Sequence, residues 1–405
     1  MSFLIPFEND FLGLCLPLGF WFAMLPDNIW ENKSPHYKKT YNVYTFFIYL
    51  MAFLGYLTEL TKLYQIITDD FFILEEFIRN IVMATFHTTT IFKCIFLRSR
   101  IGAKILKDIV KYEKMVYESA NDKVISIYRE VLSNMQKTRN YYLIGYVINV
   151  AFYIAASKFK DPYYIPRTNN VTDIVHQMPL SAWTPLEKNY WFSYFWTTII
   201  GCYLEIFFVM SDLTINSFIM FGVCQIKILK HFIADFYQYA NDIKQKRSCT
   251  EEESFRILQK ELIIMHQKCL NSVRDLNNNL KMVMLIDFIP SSLQIAGITF
   301  QTMANLSVIQ FLLVGQFIIT LIARIFICCN NAQNLAIQSE SIASTWYNID
   351  WTELPYDVKK NIVFCMVVAQ KPLYITLGDM GNITLETFVS ILKGTYSLIT
   401  LLTTI

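Results

Sequence analysis

The chain has 405 residues, 54% of them hydrophobic and only 17% charged, with a mean hydropathy of +0.33. Soluble domains carry about a quarter charged residues, so water is not this chain's only solvent. The formal net charge of +2 gives no reason to expect nucleic acid or an acidic partner.

At the start of the chain, Phe11 to Leu25 is apolar enough to resemble a signal-peptide core. Glu8 and Asp10 precede it where basic residues belong, and no small-residue cleavage site follows. Interrupted by Pro17 and Gly19, it reads as an interfacial or re-entrant segment on the cytosolic side, within an N-terminal portion covering residues 1–40.

A membrane-crossing helix needs about 20 mostly apolar residues. Such stretches run from Tyr41 to Ile67, Phe71 to Leu97, Tyr141 to Ser157, Tyr190 to Asp212, Met282 to Met303, Leu306 to Cys329 and Ile383 to Ile405. The expected fold is therefore an all-α membrane protein with seven transmembrane helices. The third stretch is short, and the fourth to sixth continue into polar sequence that stays helix-compatible.

Lys and Arg set the orientation. They crowd the connection after the second span, from Arg98 to Arg139, and the one after the fourth, from Lys227 to Arg274. The connection around Thr68 to Asp70 and the Asn305 turn have none, and Lys158 to Asn189 has four. Basic loops stay in the cytosol, which predicts a cytosolic N-terminus and an extracellular C-terminus. Asn170 and Asn305 head Asn-x-Thr and Asn-x-Ser sequons on the predicted outer side and are glycosylation candidates. A seven-span G-protein-coupled receptor has the opposite orientation. The chain also lacks Asp-Arg-Tyr after the third span and Asn-Pro-x-x-Tyr in the seventh.

Within the fourth span Glu205 lies in the apolar run Ile199 to Met210, where a carboxylate needs a partner, a wet cavity or a proton. Asp212, nearer the cytosolic edge, reads as structural. Residues 213–281 form an expected cytosolic helical extension. There Phe255, Leu258, Leu262, Met265, Cys269, Val273, Leu276 and Leu280 recur at steps of three and four, the mark of a one-sided apolar helix. Residues 282–329 hold the fifth and sixth spans, and 330–377 further helices of a cytosolic anchor bundle, ended by Gly378 and Gly381. Whether these stripes pack within one chain or between chains stays open at this level.

The last helix carries Leu385, Phe388, Leu392, Tyr396, Ile399 and Thr403 on one stripe, with small hydroxyls around the rest. Hydroxyls in membrane helices serve close helix packing as well as pores, and the chemistry alone does not choose. The nine cysteines show no CxxC or Cys/His ligand spacing, so neither zinc nor a disulfide framework is implied. No nucleophile constellation or phosphate loop suggests an enzyme, and no cofactor is implied. A transporter would show an internal repeat or matched broken helices, and neither is visible.

Several motifs together carry a resemblance. Trp346-Tyr347 through Trp351, Val363-Phe364-Cys365-Met366, Gln370-Lys371-Pro372-Leu373, Gly378, Leu385 to Phe388 and Thr395-Tyr396-Ser397 resemble the C-terminal signature of insect odorant receptors, as do Asp212 and Gln225. The specific part covers the final sixty or so residues; span count, inverted topology and helical extensions fit the same family. The resemblance implies an odorant-gated, poorly selective cation channel in the plasma membrane of sensory dendrites. It also implies a heterotetramer in which a divergent odorant-binding subunit joins a shared co-receptor. This chain is similar to the divergent subunit, because the co-receptor has an enlarged connection between its fourth and fifth spans. Gustatory-type channels remain the alternative, although Thr395-Tyr396 is not followed here by their Gln-Phe pair.

By the same resemblance the last helix lines a central pore, with Tyr396, Ile399, Leu402 and Thr403 at pore or gate positions. No acidic ring stands near the outer end of that helix. The volatile's site is expected among the second, third, fourth and sixth helices, at Met83, Phe86, His87, Asn149, Phe152, Tyr153, Tyr194, Thr198, Cys202, Gln310 and Val314. An aromatic and aliphatic cavity with one or two hydrogen-bonding groups suits such a ligand. His87 is open between a bonded core histidine and a ligand donor.

Overall fold

The computed structural model describes residues 9–26, 34–158, 162–167, 171–304 and 308–404, with 153, 156, 163, 165–167, 171–173, 300–304, 308–314 and 402–404 described by backbone alone. Asn170 and Asn305 lie outside the described residues. The order is α1 (Cys15–Trp21), α2 (Pro35–Thr68), α3 (Leu74–Arg98), α4 (Arg100–Glu118), α5 (Asp122–Lys158), β1 (Tyr163–Arg167), β2 (Val171–Val175) and α6 (Tyr190–Ala234). It continues through α7 (Phe236–Arg247), α8 (Glu251–Ala304), α9 (Val308–Tyr347), α10 (Tyr356–Ala369), β3 (Thr376–Leu377), β4 (Gly381–Asn382) and α11 (Leu385–Thr404).

Local chemistry explains where these helices begin. Ser34 accepts the Tyr37 amide at 3.3 Å with Pro35 in the first turn of α2, and Ser99 and Asn189 do the same for α4 and α6. The longest helix, α8, starts in a reciprocal capping box: Thr250 Oγ1 accepts the Glu253 amide at 3.3 Å, and the Glu253 carboxylate accepts the Thr250 amide at 2.9 Å.

Among the described residues five helical segments are long and apolar enough to cross a membrane: Pro35–Thr68, Leu74–Arg98, Tyr190–Ala234, Glu251–Thr299 and Gly315–Tyr347. They correspond to five of the seven expected spans. The other two sit in α5, where only the C-terminal part is apolar, and in α11, which contains Glu386 and Lys393. The α2 helix leaves Val43, Phe46, Phe47, Met51, Phe53 and Leu54 exposed, an apolar face that a monomer in water would not carry.

α6 is the spine of the bundle and packs against α3, α5, α8 and α9. Nearly every residue from Phe207 to Leu229 along it is buried. Beyond the apolar level α6, α8 and α9 run on without interruption, and α7 and α10 join them. In that polar end the α8 stripe is covered within the chain: Phe255, Leu258, Leu262, Cys269, Val273, Leu276 and Leu280 are buried and Met265 is half-buried. Phe236 stacks on Phe255 at 5.9 Å beside the fully buried Trp346.

The N-terminal segment is a buried plug against the chain's own helices. Phe11, Leu12 and Leu16 are almost unexposed, with Phe11 against Tyr128 and Phe221. Its backbone polar groups are met by side chains, as a buried irregular segment requires. The Glu113 carboxylate accepts the Asp10 and Phe11 amides at 2.9 and 3.0 Å and the Tyr128 hydroxyl, while Arg139 and Arg98 donate to the Leu12 and Ala23 carbonyls.

The connection after α5 holds structure that its composition does not announce. β1 and β2 form an antiparallel hairpin, and the following Gln177, Leu180, Ser181, Ala182 and Thr184 are buried against α2, α3 and α6. Trp183 N donates to Thr58 O and Asn80 Nδ2 to Ser181 O, at 2.9 and 2.6 Å. Gly378, expected to break the chain, sits at φ +55° in the turn between β3 and β4, where its amide donates to Lys281 O.

Candidate ligand cavity and buried charge network

A small cavity lies among α3, α5, α6 and α9, lined by Phe86, Tyr142, Tyr146, Asn149, Glu205, Phe208, Phe317, Thr320, Leu321 and Arg324. Its free volume is about 10 Å³, room for about one water. Phe86 meets Phe208 edge-on at 5.1 Å and Phe317 at 6.4 Å, closing its floor and wall. The Tyr146 hydroxyl donates to the Glu205 carboxylate, which gives that intramembrane acid a partner. The arrangement is mostly aromatic and aliphatic, with Asn149, Tyr146 and Glu205 as polar groups.

Of the expected ligand positions, Phe86 and Asn149 line this cavity. Met83 is buried on α3 and does not line it. His87 is a bonded core histidine, its Nδ1 2.8 to 2.9 Å from the two Glu59 carboxylate oxygens, both side chains essentially unexposed. Tyr194 and Thr198 direct their hydroxyls to the Ile154 and Tyr194 carbonyls, and Cys202 is half-buried. Phe152 is 48% exposed on the outer side of α5. The side chains of Tyr153, Gln310 and Val314 lie outside the described residues.

Below the cavity sits a network that the sequence reading did not assemble. Lys93, fully buried, reaches Asp212 at 2.5 Å and Asp287 at 2.8 Å. Arg324 grips Asp287 with Nη1 at 2.8 and 3.0 Å, lies 3.5 Å from Asp212 and donates to Ser291 Oγ at 2.9 Å. Tyr142 donates to Asp212 at 3.3 Å. Two acids and two bases from α3, α6, α8 and α9 thus cancel, with α5 supplying the phenol. Burying charges is tolerable only in this paired form. The signal was available: Glu59, Lys93, Asp287 and Arg324 each interrupt an apolar run, as Glu205 does.

Arg324 belongs to both features, lining the cavity and holding α8 beside Pro290. One residue past Ser291, the Ser292 carbonyl lies 3.5 Å from the Thr395 hydroxyl of α11, which donates to Ile391 O of its own helix at 3.0 Å. The last helix is further seated by Phe388 on Phe326 at 5.5 Å and by the Leu385 amide on Gln333 Oε1 at 2.8 Å. Its opposite side is uncovered: Val389 and Leu401 are exposed and Tyr396 is 70% exposed, while Ile399 is half-buried. Leu402 and Thr403 continue the helix by backbone alone.

At the other end, α2, α3 and the 176–193 segment enclose an open vestibule of about 670 Å³ whose charged lining includes Lys62, Glu76 and Arg79.

Comparison with known proteins bears on all of this. The 7tm Odorant receptor family model matches residues 73–396. Odorant receptor 10 of Aedes albopictus is 28% identical over 209 residues, 51% of this chain and 52% of that receptor. Odorant receptor Or2 of Anopheles gambiae is 26% identical over 143 residues, 35% of this chain and 38% of that one. The aligned part thus spans about half or less of either relative's length. In fold, the chain resembles the insect olfactory receptor OR5 from Machilis hrabei in complex with eugenol, with a TM-score of 0.71 at 15% identity, covering 96% of this chain and 95% of that one. With the family model spanning most of its length and five apolar helices able to cross a bilayer, the chain is a multi-pass membrane protein of the 7tm odorant receptor family.

Proposed function

We propose that the chain is the odorant-binding subunit of a ligand-gated, poorly selective cation channel that opens in company with a co-receptor. The observation that carries this reading is the family match across residues 73–396, and the near full-length likeness in fold to an olfactory receptor in complex with eugenol supports it. In this reading the chain crosses the plasma membrane of a sensory dendrite seven times, N-terminus inside and C-terminus outside, with α11 facing the pore. Tyr396, Ile399, Leu402 and Thr403 line it there, and the uncovered side of α11 is the side that neighbouring subunits meet.

The ligand site is the cavity around Phe86, Asn149 and Glu205. Since its free volume holds about one water, a volatile enters only by displacing the Phe86, Phe208 and Phe317 rings. That displacement pushes on Arg324, and through Asp287 and Ser291 on the part of α8 against which Thr395 of α11 rests. Differential affinity for the expanded cavity then biases the pore, as any ligand-driven equilibrium requires.

The test is expression with and without an odorant co-receptor, recording whole-cell current against a panel of volatiles. Current that needs both chains and one ligand class is the expected result. Silence despite surface expression, or glycosylation mapping that puts Asn170 in the cytosol, would overturn the reading.

A further inference from the structure

A second cavity, of about 180 Å³, lies between α5, α6 and α9 where the three helices pass from apolar to polar sequence. It has room for a cluster of several waters. Arg139, Lys227 and Arg324 line it together with five asparagines, and no Asp or Glu does. Asn134 and Asn330, both exposed, mark its opening between α5 and α9.

The three cations differ in how they are compensated. Arg324 is neutralised by the network of Asp212 and Asp287. Lys227 reaches Glu130 at 3.0 Å, but that carboxylate is largely exposed and the pair is weak. Arg139 is 8% exposed and, among the described residues, meets no carboxylate. Its Nη1 donates to the Leu12 carbonyl at 3.1 Å and its Nε has no partner. A guanidinium has five N–H donors, and burying one against a single carbonyl leaves most of its charge unanswered.

The lining is rich in donors as well as positive. Asn331 Nδ2 donates to Asn216 Oδ1 at 3.1 Å and Asn216 Nδ2 to the Asp212 carbonyl at 3.0 Å, so each amide is oriented and keeps a second N–H. Several oriented N–H groups with two cations suit an oxyanion of more than one charge, such as phosphate, better than a halide. Gly13, at φ +48°, lets the guanidinium lie against the N-terminal plug: a Cβ there would stand 2.5 Å from Arg139 Nη1 and Nη2. Arg139 therefore connects this cavity to the plug.

We propose that the cavity between α5, α6 and α9 is a phosphate-binding site, with Arg139 and Lys227 as the two cations that answer the anion's charge. The phosphate belongs to a lipid headgroup or is free in solution; cationic pockets between helices at the membrane surface take either. Occupancy fastens the plug through Arg139. The proposal does not depend on the channel reading.

The test uses the purified full-length chain, stripped of lipid in an uncharged detergent. It is titrated with inorganic phosphate and, separately, with a short-chain phosphatidylinositol phosphate, with short-chain diacylglycerol as the phosphate-free control. A saturable rise in unfolding temperature is expected with the phosphate probes alone. Saturation by the lipid only identifies a headgroup site, and saturation by both shows that free phosphate suffices. R139Q and K227Q should each weaken binding about tenfold or more, while K230Q, whose lysine bonds Gln338 away from the cavity, binds normally. Should R139Q not fold, K227Q and R139K carry the comparison. No saturable shift with either probe, or wild-type binding by both R139Q and K227Q, would overturn the proposal.

Discussion

Lys93→Met removes one charge from the buried network with little change in side-chain length. Lys93 is fully buried and lies 2.5 Å from Asp212 and 2.8 Å from Asp287. Without it two carboxylates face a single guanidinium, leaving one uncompensated negative charge among α3, α6, α8 and α9. Breaking a buried pair in this way costs about 3–5 kcal/mol, a large share of a total stability of about 5–15 kcal/mol. At about 2 °C per kcal/mol for a large chain, the unfolding midpoint in detergent should drop by about 6–10 °C. Lys93→Met/Asp212→Asn restores neutrality and leaves the Arg324–Asp287 contact whole, so the double variant should recover at least about half of that loss. The assay is thermal unfolding of the purified full-length chain, followed by tryptophan fluorescence and by the monodisperse fraction remaining after heating. A single variant as stable as the wild type, or a double variant whose loss is the sum of the two singles, would refute the electrostatic account.

Three further outcomes are expected. Glu113→Ala leaves the Asp10 and Phe11 amides and the Tyr128 hydroxyl without their acceptor, costing about 1–3 kcal/mol per orphaned group. Limited proteolysis should then cut near residues 9–26 while α5 and α6 stay protected; unchanged protection of the plug would contradict its anchoring by Glu113. Burial, with Arg274 adding to it, holds the His266 pKa below the ordinary histidine value. The unfolded chain therefore binds that proton more readily, so this contribution to stability is full above pH about 6.5 and shrinks as pH falls through it. His266→Leu should flatten the acid side of the stability profile, and a profile identical to wild type would exclude the effect. Glu205→Gln keeps an acceptor for the Tyr146 hydroxyl but removes the charge at the cavity wall. Surface expression should hold while the odorant concentration for half-maximal current shifts about fivefold or more; an unmoved value would assign Glu205 a structural role only.

Much of the architecture was legible because it follows from one-dimensional rules. Hydropathy located the long helices, and uninterrupted helix-compatible sequence flanking the fourth to sixth spans anticipated that α6, α8 and α9 run on past the apolar level. The α8 stripe announced a face to be covered, and its three-and-four spacing matches the buried set. Motifs near the C-terminus pointed to the family that the comparison of residues 73–396 shows.

What sequence left open were relations between distant residues. Glu205 drew notice as a lone carboxylate, yet its partner Tyr146 stands 59 positions away. His87 was undecided until α2 brought Glu59 to it across 28 positions. The plug reads from sequence as an interfacial or re-entrant segment, and that Glu113, Arg139 and Arg98 receive its backbone is visible only in the packed chain. By itself the sequence determined which segments are helical and which are apolar, since periodicity and composition are local properties, and its C-terminal motifs carried the family resemblance. The tertiary structure alone decided that Lys93, Asp212, Asp287 and Arg324 form one neutral cluster. Each looks like an isolated cost to an apolar helix until five helices close around them, and the attraction that offsets that cost exists only at the 2.5 to 3.5 Å separations the fold creates.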